Sequence, residues 1–405
     1  MIPTLLQPGF ISQFPGHALA ELPLHLVGHS RGGSLICEMS RLLGTNGVWV
    51  DHLTTFDPHP LNNDGFADFP FTVVDAPAHT YENVLFHDNY FQKIDSLFFG
   101  EAVAGAYTRQ LKNLDGGYSG IGGAHSDVHL WYHGTIDLQT PTSDTVSTIT
   151  STERAAWWNG NENFGVSAGF LYSRIGGGDR LGTNQPAGVG TSHIRDGYNQ
   201  RWDLGAGNDT NRTILSTNRG TWPNLITAGL PAPRVMVYGQ SNALKLFYQW
   251  VQPAASNARV DLFLDEDFSP FNGNERHLQS MFVPGTPTGL PGNPVLPFTL
   301  DVANSSPGVH SVFARITANG KTRYFYAPQT LTVMSSFAPP TVTLANADPA
   351  QVQIGVDGIA GQRIVLERSA NLLNWQPIAT NWLNQARWTY IDPASLQNFY
   401  RAAVR

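Results

Sequence analysis

The chain has 405 residues, a formal net charge of −7 and a single cysteine. The negative charge and the lack of a basic run argue against a nucleic-acid-binding role. No apolar stretch reaches the ~18 residues of a membrane span, and one cysteine excludes a framework of intrachain disulfides. We therefore expect a globular protein of several domains.

The first informative motif is Gly28-His29-Ser30-Arg31-Gly32-Gly33, which lies between a short apolar run and a segment with helical periodicity. A Gly-x-Ser-x-Gly motif between a strand and a helix is typical of a nucleophile elbow, in which the serine lies on a strained turn. We expect side chains at Gly28 and Gly32 to collide with the neighbouring chain. Such a turn directs the Ser30 hydroxyl towards a base, at the positive end of the next helix.

The segment after the motif predicts a helix, and then a strand over 48–56 that ends at Asp57-Pro58. Gly44 is expected to end the helix, and Cys37 is expected to be a small core residue within it. A strand, an elbow, a helix and a second strand in this order predict an α/β fold with a parallel sheet. The apolar stripe of the helix is expected to comprise Leu35, Ile36, Met39, Leu42 and Leu43.

Two aspartates are candidates for a catalytic acid that would orient the base. Asp57 follows the predicted strand, and Asp88 ends the next apolar run. Side chains at the carboxyl ends of parallel strands gather at one edge of the sheet. An aspartate before a proline is also a common turn former, so the spacing leaves both candidates open.

Several histidines are candidates for the base. His125 follows a glycine-rich loop and precedes Ser126, which is expected to N-cap a helix. On a loop, His125 would be free to rotate between the serine and the acid. His129 is the alternative base, although it and His133 are expected inside the helix with structural roles. His29 is expected to pack beside the nucleophile.

Three segments together resemble a lipase or esterase of the α/β-hydrolase superfamily over about residues 20–140: the serine motif, Thr54-Thr55-Phe56-Asp57-Pro58 and His125-Ser126-Asp127-Val128. The aspartate before a proline is similar to pancreatic-type lipases, and the His-x-Asp run is similar to bacterial lipases. The resemblance implies Ser30 as nucleophile, Asp57 as acid and His125 as base, with no metal or cofactor. It also implies that the backbone N–H of Arg31 is one oxyanion donor.

In that superfamily several strands and a second oxyanion donor precede the nucleophile. Because the motif begins at Gly28, we expect either a truncated chain or a reduced sheet. An exposed sheet edge can pair with a strand of another chain, so association into a homo-oligomer is an alternative that the sequence leaves open.

The remaining chain predicts three further regions after a partial hydrolase domain over 1–140. Residues 141–229, rich in Gly, Asn and aromatic residues, are expected to form an irregular cap or connecting segment, in which Gly205–Asp209 is too weak a match to a Ca²⁺ repeat to count. Strand-like runs over 230–335 predict an immunoglobulin-like β-sandwich. Within it, a turn at Asp265–Asp267 with Asn272 and Asn274 is expected to be solvated, with Ca²⁺ binding as the alternative. Residues 336–405 resemble C-terminal β-sandwich modules of secreted proteins from Verrucomicrobia-type bacteria.

We therefore expect a serine esterase or lipase that is secreted or held at the cell surface, although no signal peptide is visible before Phe10. Its partner would be a small-molecule or lipid ester, with no nucleic acid and no membrane span. The alternative is a non-catalytic surface-attachment or glycan-binding protein that carries a hydrolase remnant.

Overall fold

The computed structural model describes residues 1–63, 73–136, 222–288, 292–336, 338–348, 351–359, 361–383, 385–393 and 398–404, with a few single positions between 150 and 215. Most of the predicted cap segment over 141–229, including Gly205–Asp209, lies outside the described residues. Among the described helices, none has the length and apolar character of a membrane crossing.

The N-terminal region is a parallel α/β sheet of four strands in the order β1-β2-β3-β4, as predicted. Its elements in chain order are α1 (Ile2–Leu6), a 3₁₀ turn (Leu19–Glu21), β1 (His25–His29), α2 (Arg31–Thr45), β2 (Val50–Phe56), β3 (Val84–Gln92), β4 (Tyr107–Leu111) and α3 (Gly123–Ile136). Strand β1, which leads into the serine motif, lies at one edge of this sheet.

The strand register places the ends of β1 and β2 side by side. His29 lies opposite Phe56, and Phe56 lies opposite Tyr90 on β3. The N–H of Ser30 donates to the carbonyl of Phe56 at 2.9 Å, and the N–H of Asp57 donates to the carbonyl of Tyr90 at 2.7 Å. The residues that directly follow β1 and β2 therefore meet at the carboxyl edge of the sheet.

Helix α2 packs an apolar stripe on the sheet, with two departures from the prediction. Leu35 is 51% exposed, because a residue next to Ile36 points about 100° away from the stripe that Ile36 occupies. The helix also runs past Gly44 to Thr45, where a side chain at Gly44 would collide with Asn83 and Leu215. Cys37 is fully buried, as expected, and burial raises the pKa of its thiol to about 12.

The second region is made of antiparallel β-sheets, as predicted. Eight strands form two sheets in the orders β10-β7-β5 and β6-β12-β11-β8-β9, which enclose one apolar core. The prediction missed three of them, and the first, β5, begins at Asn224 within the predicted connecting segment. The strands are β5 (Asn224–Gly229), β6 (Val235–Val237), β7 (Ser241–Gln249), β8 (Asn257–Asp265), β9 (Arg276–Pro284), β10 (Val295–Thr299), β11 (Gly308–Ala318) and β12 (Lys321–Met334).

The C-terminal module has two three-stranded sheets in the orders β13-β14-β17 and β16-β15-β18, with a smaller core between them. Its strands are β13 (Thr341–Asp348), β14 (Gln351–Asp357), β15 (Arg363–Ser369), β16 (Gln376–Trp382), β17 (Arg387–Pro393) and β18 (Phe399–Val404).

A buried ion pair joins the first sandwich to the α/β region. Arg323 on β12 donates to the carboxylate of Asp51 on β2 at 2.9 Å, and both side chains are 1% exposed. Arg323 also donates to the carbonyl of Trp49 at 3.1 Å. Burial lowers the pKa of Arg323, and Asp51 opposes that shift. Removing one partner of such a pair leaves an uncompensated buried charge, so this contact fixes how the two regions pack.

Candidate active site

Ser30 occupies the strained turn that the sequence predicts. Its φ of 56° and ψ of −129° are unfavourable for a residue with a side chain. A Cβ at Gly28 would overlap the carbonyl of Gly32, as expected. The prediction for Gly32 is wrong, because nothing lies within 4 Å of the position of its Cβ. The second close approach is at Gly33, where a Cβ would lie 2.9 Å from Cβ of Pro58.

Asp57 follows β2 and its side chain is completely buried. One carboxylate oxygen, Oδ1, accepts hydrogen bonds at 2.8 Å from the backbone N–H groups of Gln92 and Gly100. The other, Oδ2, accepts from Nε2 of Gln92 at 2.8 Å and from Nδ1 of His125 at 2.6 Å. Four donors compensate the burial of the charge and fix the orientation of the carboxylate.

The contact with Asp57 defines the proton positions of His125. Because an ionised carboxylate only accepts, Nδ1 of His125 donates to Asp57. In the neutral imidazole Nε2 is then an acceptor, which is the form that a general base needs. The side chain of His125 is 11% exposed, so one part of the ring reaches the surface of the site.

The predicted loop position of His125 is wrong, because this residue lies in the first turn of α3. The chain enters the helix through Gly122, which has a φ of 82°. The N–H of Ser126 donates to the carbonyl of Gly122 at 3.1 Å, so Ser126 lies inside the helix and is not its N-cap. His125 therefore lies on the first turn of a helix and contacts Asp57 from there, and not from a loop.

His29 connects the serine turn to His125. Its Nε2 donates to the carbonyl of His125 at 2.8 Å, and the two rings have centroids 4.5 Å apart. The structure thus brings His125 beside the residue that precedes Ser30. Within the described residues the hydroxyl of Ser30 makes no hydrogen bond. Hydrogen bonds between a nucleophile and its base are often long in free enzymes and shorten when substrate binds.

Asp88 and His129, the alternatives for the acid and the base, make other contacts. Asp88 is buried inside β3, which continues to Gln92, so the expectation that its strand ends there is wrong. Its Oδ1 accepts from His52 at 2.9 Å and from Thr54 at 2.6 Å. These partners let a polar residue stay within a buried strand. His129 lies in α3 with its ring edge-on to His29 at 5.3 Å.

Two supporting residues were missed by the sequence interpretation. Gln92 lies at the end of β3, and its side chain donates to Asp57 and also to the carbonyl of Phe98 at 2.7 Å. A Cβ at Gly100 would lie 2.6 Å from Asp57, so only glycine allows this backbone to approach the carboxylate. No local pattern in the sequence marks either residue as a partner of Asp57, because Gln92 and Gly100 lie 35 and 43 positions after it.

Asp95 accepts hydrogen bonds from two segments of the chain, one of which leads to His125. Its carboxylate accepts hydrogen bonds from the N–H groups of Leu97, Phe98 and Gly122. Partial burial favours a higher pKa for Asp95, but these N–H groups outweigh it and lower the pKa. Asp95 therefore stays ionised and ties its own segment to Gly122, next to the start of α3.

Arg31 begins α2, where backbone N–H groups have no partner within the helix. Its N–H can therefore stabilise an oxyanion beside Ser30. The guanidinium makes two hydrogen bonds to Asp75, at 2.6 and 2.7 Å. This contact lowers the pKa of Asp75, and Asp75 also accepts from the N–H of Leu61 at 3.0 Å. The side chain of Arg31 is thus linked through Asp75 to Leu61.

Comparisons with known proteins identify no family for this chain. No family model matches it, and no curated protein matches it. Among solved structures, an alkylpurine DNA glycosylase from Pseudomonas fluorescens is 18% identical with a TM-score of 0.18, and the match covers 25% of this chain and 28% of that one. Bovine butyrophilin is 10% identical with a TM-score of 0.23, over 43% of this chain and 95% of that one.

A transglutaminase from red sea bream is 13% identical with a TM-score of 0.21, over 45% of this chain and 29% of that one. At these TM-scores the likenesses carry no argument about function. The chain is therefore described by its own architecture, a parallel four-strand α/β region followed by antiparallel β-sheet domains.

Proposed function

We propose that this protein is a carboxylic-ester hydrolase that works through an acyl-enzyme on Ser30. The observation that carries the proposal is the 2.6 Å hydrogen bond between His125 and the buried, fully bonded Asp57. It lies at the same edge of the sheet as a serine on a strained turn between a strand and a helix. A nucleophile, a base and a group that orients the base are the three parts of serine hydrolysis.

In the first half of the reaction Oγ of Ser30 attacks the ester carbonyl carbon while Nε2 of His125 accepts the hydroxyl proton. Asp57 stabilises the resulting imidazolium and keeps Nδ1 as the donor. The N–H of Arg31 donates to the carbonyl oxygen as it becomes negative. When the C–O bond to the alcohol breaks, His125 returns the proton to the leaving alkoxide, and Ser30 is acylated.

In the second half a water molecule takes the place of the alcohol. His125 accepts a proton from this water as the water oxygen attacks the acyl carbon. Collapse of the tetrahedral intermediate then releases a carboxylic acid, and His125 returns the proton to Oγ of Ser30.

Exposed apolar side chains near His125 support an apolar substrate. Leu97 is 58% exposed, Ile121 is 76% exposed and Phe98 is 37% exposed. The ring of Phe98 lies 6.3 Å from that of His125, and Asp95 holds the two loops that carry these residues together. Apolar surface beside a polar site favours esters with an apolar acyl or alcohol group.

The proposal is tested by hydrolysis of p-nitrophenyl esters with acyl chains of increasing length. We expect turnover by the intact chain and loss of turnover in Ser30→Ala, which removes the nucleophile from an otherwise unchanged turn. The matched control is Ser34→Ala, a buried serine on α2. Turnover that persists in Ser30→Ala, or no turnover of any ester, would contradict the proposal.

A groove in the C-terminal module supports a second candidate function, the binding of a neutral glycan. Its volume is about 320 Å³, and Asp392 neutralises the one charge that lines it, Arg368, at 2.9 Å. Among the described residues the side chains of Asn374 and Gln376 make no hydrogen bond. Side-chain amides both donate and accept, as sugar hydroxyls require. The lining residues are Arg368, Ser369, Ala370, Asn371, Asn374, Gln376 and Asn398.

This second candidate is tested by sedimentation of the protein with insoluble cellulose, xylan or chitin. Glycan binding in the groove predicts that the protein pellets with one of them and that a double Asn374→Ala, Gln376→Ala variant stays in solution. The absence of binding to all three would remove this candidate.

A further inference from the structure

His29, the residue before Ser30, makes a long-range hydrogen bond in addition to its packing contacts. His29 ends β1, and its Nε2 donates at 2.8 Å to the backbone carbonyl of His125 on α3. The two residues are 96 positions apart in the sequence.

The low pKa of His29 keeps its ring in one protonation state near pH 7, so its hydrogen bond to the carbonyl of His125 does not change with protonation there. The pKa of His29 is lowered to about 4, chiefly by burial and then by the neighbouring His125, while the carbonyl of His125 and the carboxylate of Asp57 oppose the shift. His129 is the remaining titratable neighbour, and it also favours the neutral form. His29 is therefore neutral at pH 7. Because a carbonyl only accepts, the proton of the neutral ring lies on Nε2.

We propose that His29 is a positioning residue that sets the separation between the nucleophile and the base. It is adjacent to Ser30 in the chain and bonded to the backbone of His125, so one side chain spans the two groups that must exchange a proton. This inference rests on the proposed function, and it assigns to His29 a role that differs from the packing expected from the sequence.

The geometry explains why positioning is needed at this point. Asp57 fixes the Nδ1 side of the imidazole, but that contact leaves the ring free to tilt about the Nδ1–Oδ2 direction. The backbone of His125 must also be held for Nε2 to face Ser30. A displacement of about 1 Å in such a pair is enough to slow a reaction about 100-fold.

Two amide substitutions separate the hydrogen bond from the bulk of the ring. In His29→Gln the side-chain nitrogen lies about as far from the backbone as Nε2 of histidine, so it can still donate to the carbonyl. In His29→Asn the nitrogen falls short of that position. The matched control is His25→Asn, on the same strand and the same face. Nε2 of His25 donates to the hydroxyl of Thr54 at 2.8 Å, since the proton of that hydroxyl is donated to Asp88, and the His25 ring stacks on that of His52 with centroids 3.9 Å apart.

The measurement is the second-order rate at which a fluorophosphonate probe labels Ser30, with thermal unfolding followed on the same samples. We expect His29→Asn to lower the rate about tenfold or more, which is the effect of one hydrogen bond of ordinary strength. We expect His29→Gln to stay within about threefold of the unchanged protein, and His25→Asn to leave the rate unchanged.

Three outcomes overturn the inference while the proposed function stands: equal loss in His29→Gln and His29→Asn, no loss in either, or the same loss in His25→Asn. The first would assign the effect to the ring itself, and the last would assign it to general loosening of β1. Failure of the unchanged protein to label at Ser30 is a different result, because it contradicts the proposed function as well.

Discussion

Replacing Asp57 by asparagine is the substitution whose effect the structure defines most closely. The amide oxygen can take the place of Oδ1 and keep both backbone donors, from Gln92 and Gly100. The amide nitrogen then lies where Oδ2 accepted from Gln92 and His125. His125 can relieve the clash by moving its proton from Nδ1 to Nε2, and in that tautomer it can no longer accept the proton of Ser30.

The magnitudes follow from this rearrangement. One buried donor, Nε2 of Gln92, loses an acceptor, which lowers the free energy of unfolding by about 1–3 kcal/mol. The wrong tautomer lowers the rate of reaction at the serine about 10⁴-fold in the well-studied serine proteases. We therefore expect Asp57→Asn to fold, with a modest loss of stability and a loss of reactivity of about 10³-fold or more.

The assay compares Asp57→Asn with Asp88→Asn, using ester turnover and urea unfolding. Asp88 is also fully buried, and both of its hydrogen bonds reach Oδ1 while Oδ2 has no partner. In Asp88→Asn the amide nitrogen takes the position of Oδ2, where neither of its N–H groups has an acceptor, so the expected loss of stability is again on the order of 1–3 kcal/mol. The two variants are thus matched in stability and differ in the contact with His125.

Full turnover in Asp57→Asn would refute the reasoning, because the hydrogen bond to His125 would then be irrelevant to the chemistry. Loss of turnover in Asp88→Asn alone would identify Asp88 as the acid.

Three further predictions follow from the same geometry. Gly28→Ala should abolish ester turnover because its Cβ would overlap the carbonyl of Gly32. Gly32→Ala should keep turnover within about threefold, because nothing lies within 4 Å of its Cβ position. Equal effects in the two variants would contradict this account of the turn. Arg31→Ala should change the urea midpoint little, because its ion pair with Asp75 is largely exposed and screened by solvent. The substitution also keeps the backbone N–H that we propose as an oxyanion donor, so a turnover loss above about tenfold would assign a role to the guanidinium. The pKa values of His25 and His29 are lowered to about 3 and about 4 from an ordinary 6.5. Between these limits the unfolded chain binds more protons than the folded one, so the free energy of unfolding should fall as the pH drops below about 6.5, by about 1 kcal/mol per pH unit for each histidine. Urea midpoints that stay constant between pH 7 and pH 5 would show that the two rings are not buried in the neutral form.

The strained turn at Ser30 and the position of Asp57 after a strand could be predicted from the sequence, because both depend on local patterns. A strained turn requires glycine at Gly28, and Asp57 follows a recognisable strand. The choice between Asp57 and Asp88 could not be made from spacing, since both follow apolar runs. The structure separates them through the partners that Asp88 finds on β2, which keep a polar residue inside a buried strand.

The supporting contacts depend on residues far apart in the chain. Gln92 and Gly100 reach Asp57 across 35 and 43 positions, and no local pattern marks them. The glycines before His125 predict a loop at that position, whereas the structure has a helix there. The helix begins earlier because Asp95, on a separate loop, holds the N–H of Gly122.

The central claim is that Ser30 is an activated nucleophile paired with His125 and Asp57. The most direct test is to treat the folded protein with a fluorophosphonate probe and locate the adduct by mass spectrometry. The account predicts a single adduct on Ser30 that disappears in Ser30→Ala and is strongly reduced in Asp57→Asn. A folded protein that takes up no probe, or takes it up at another serine, would contradict it.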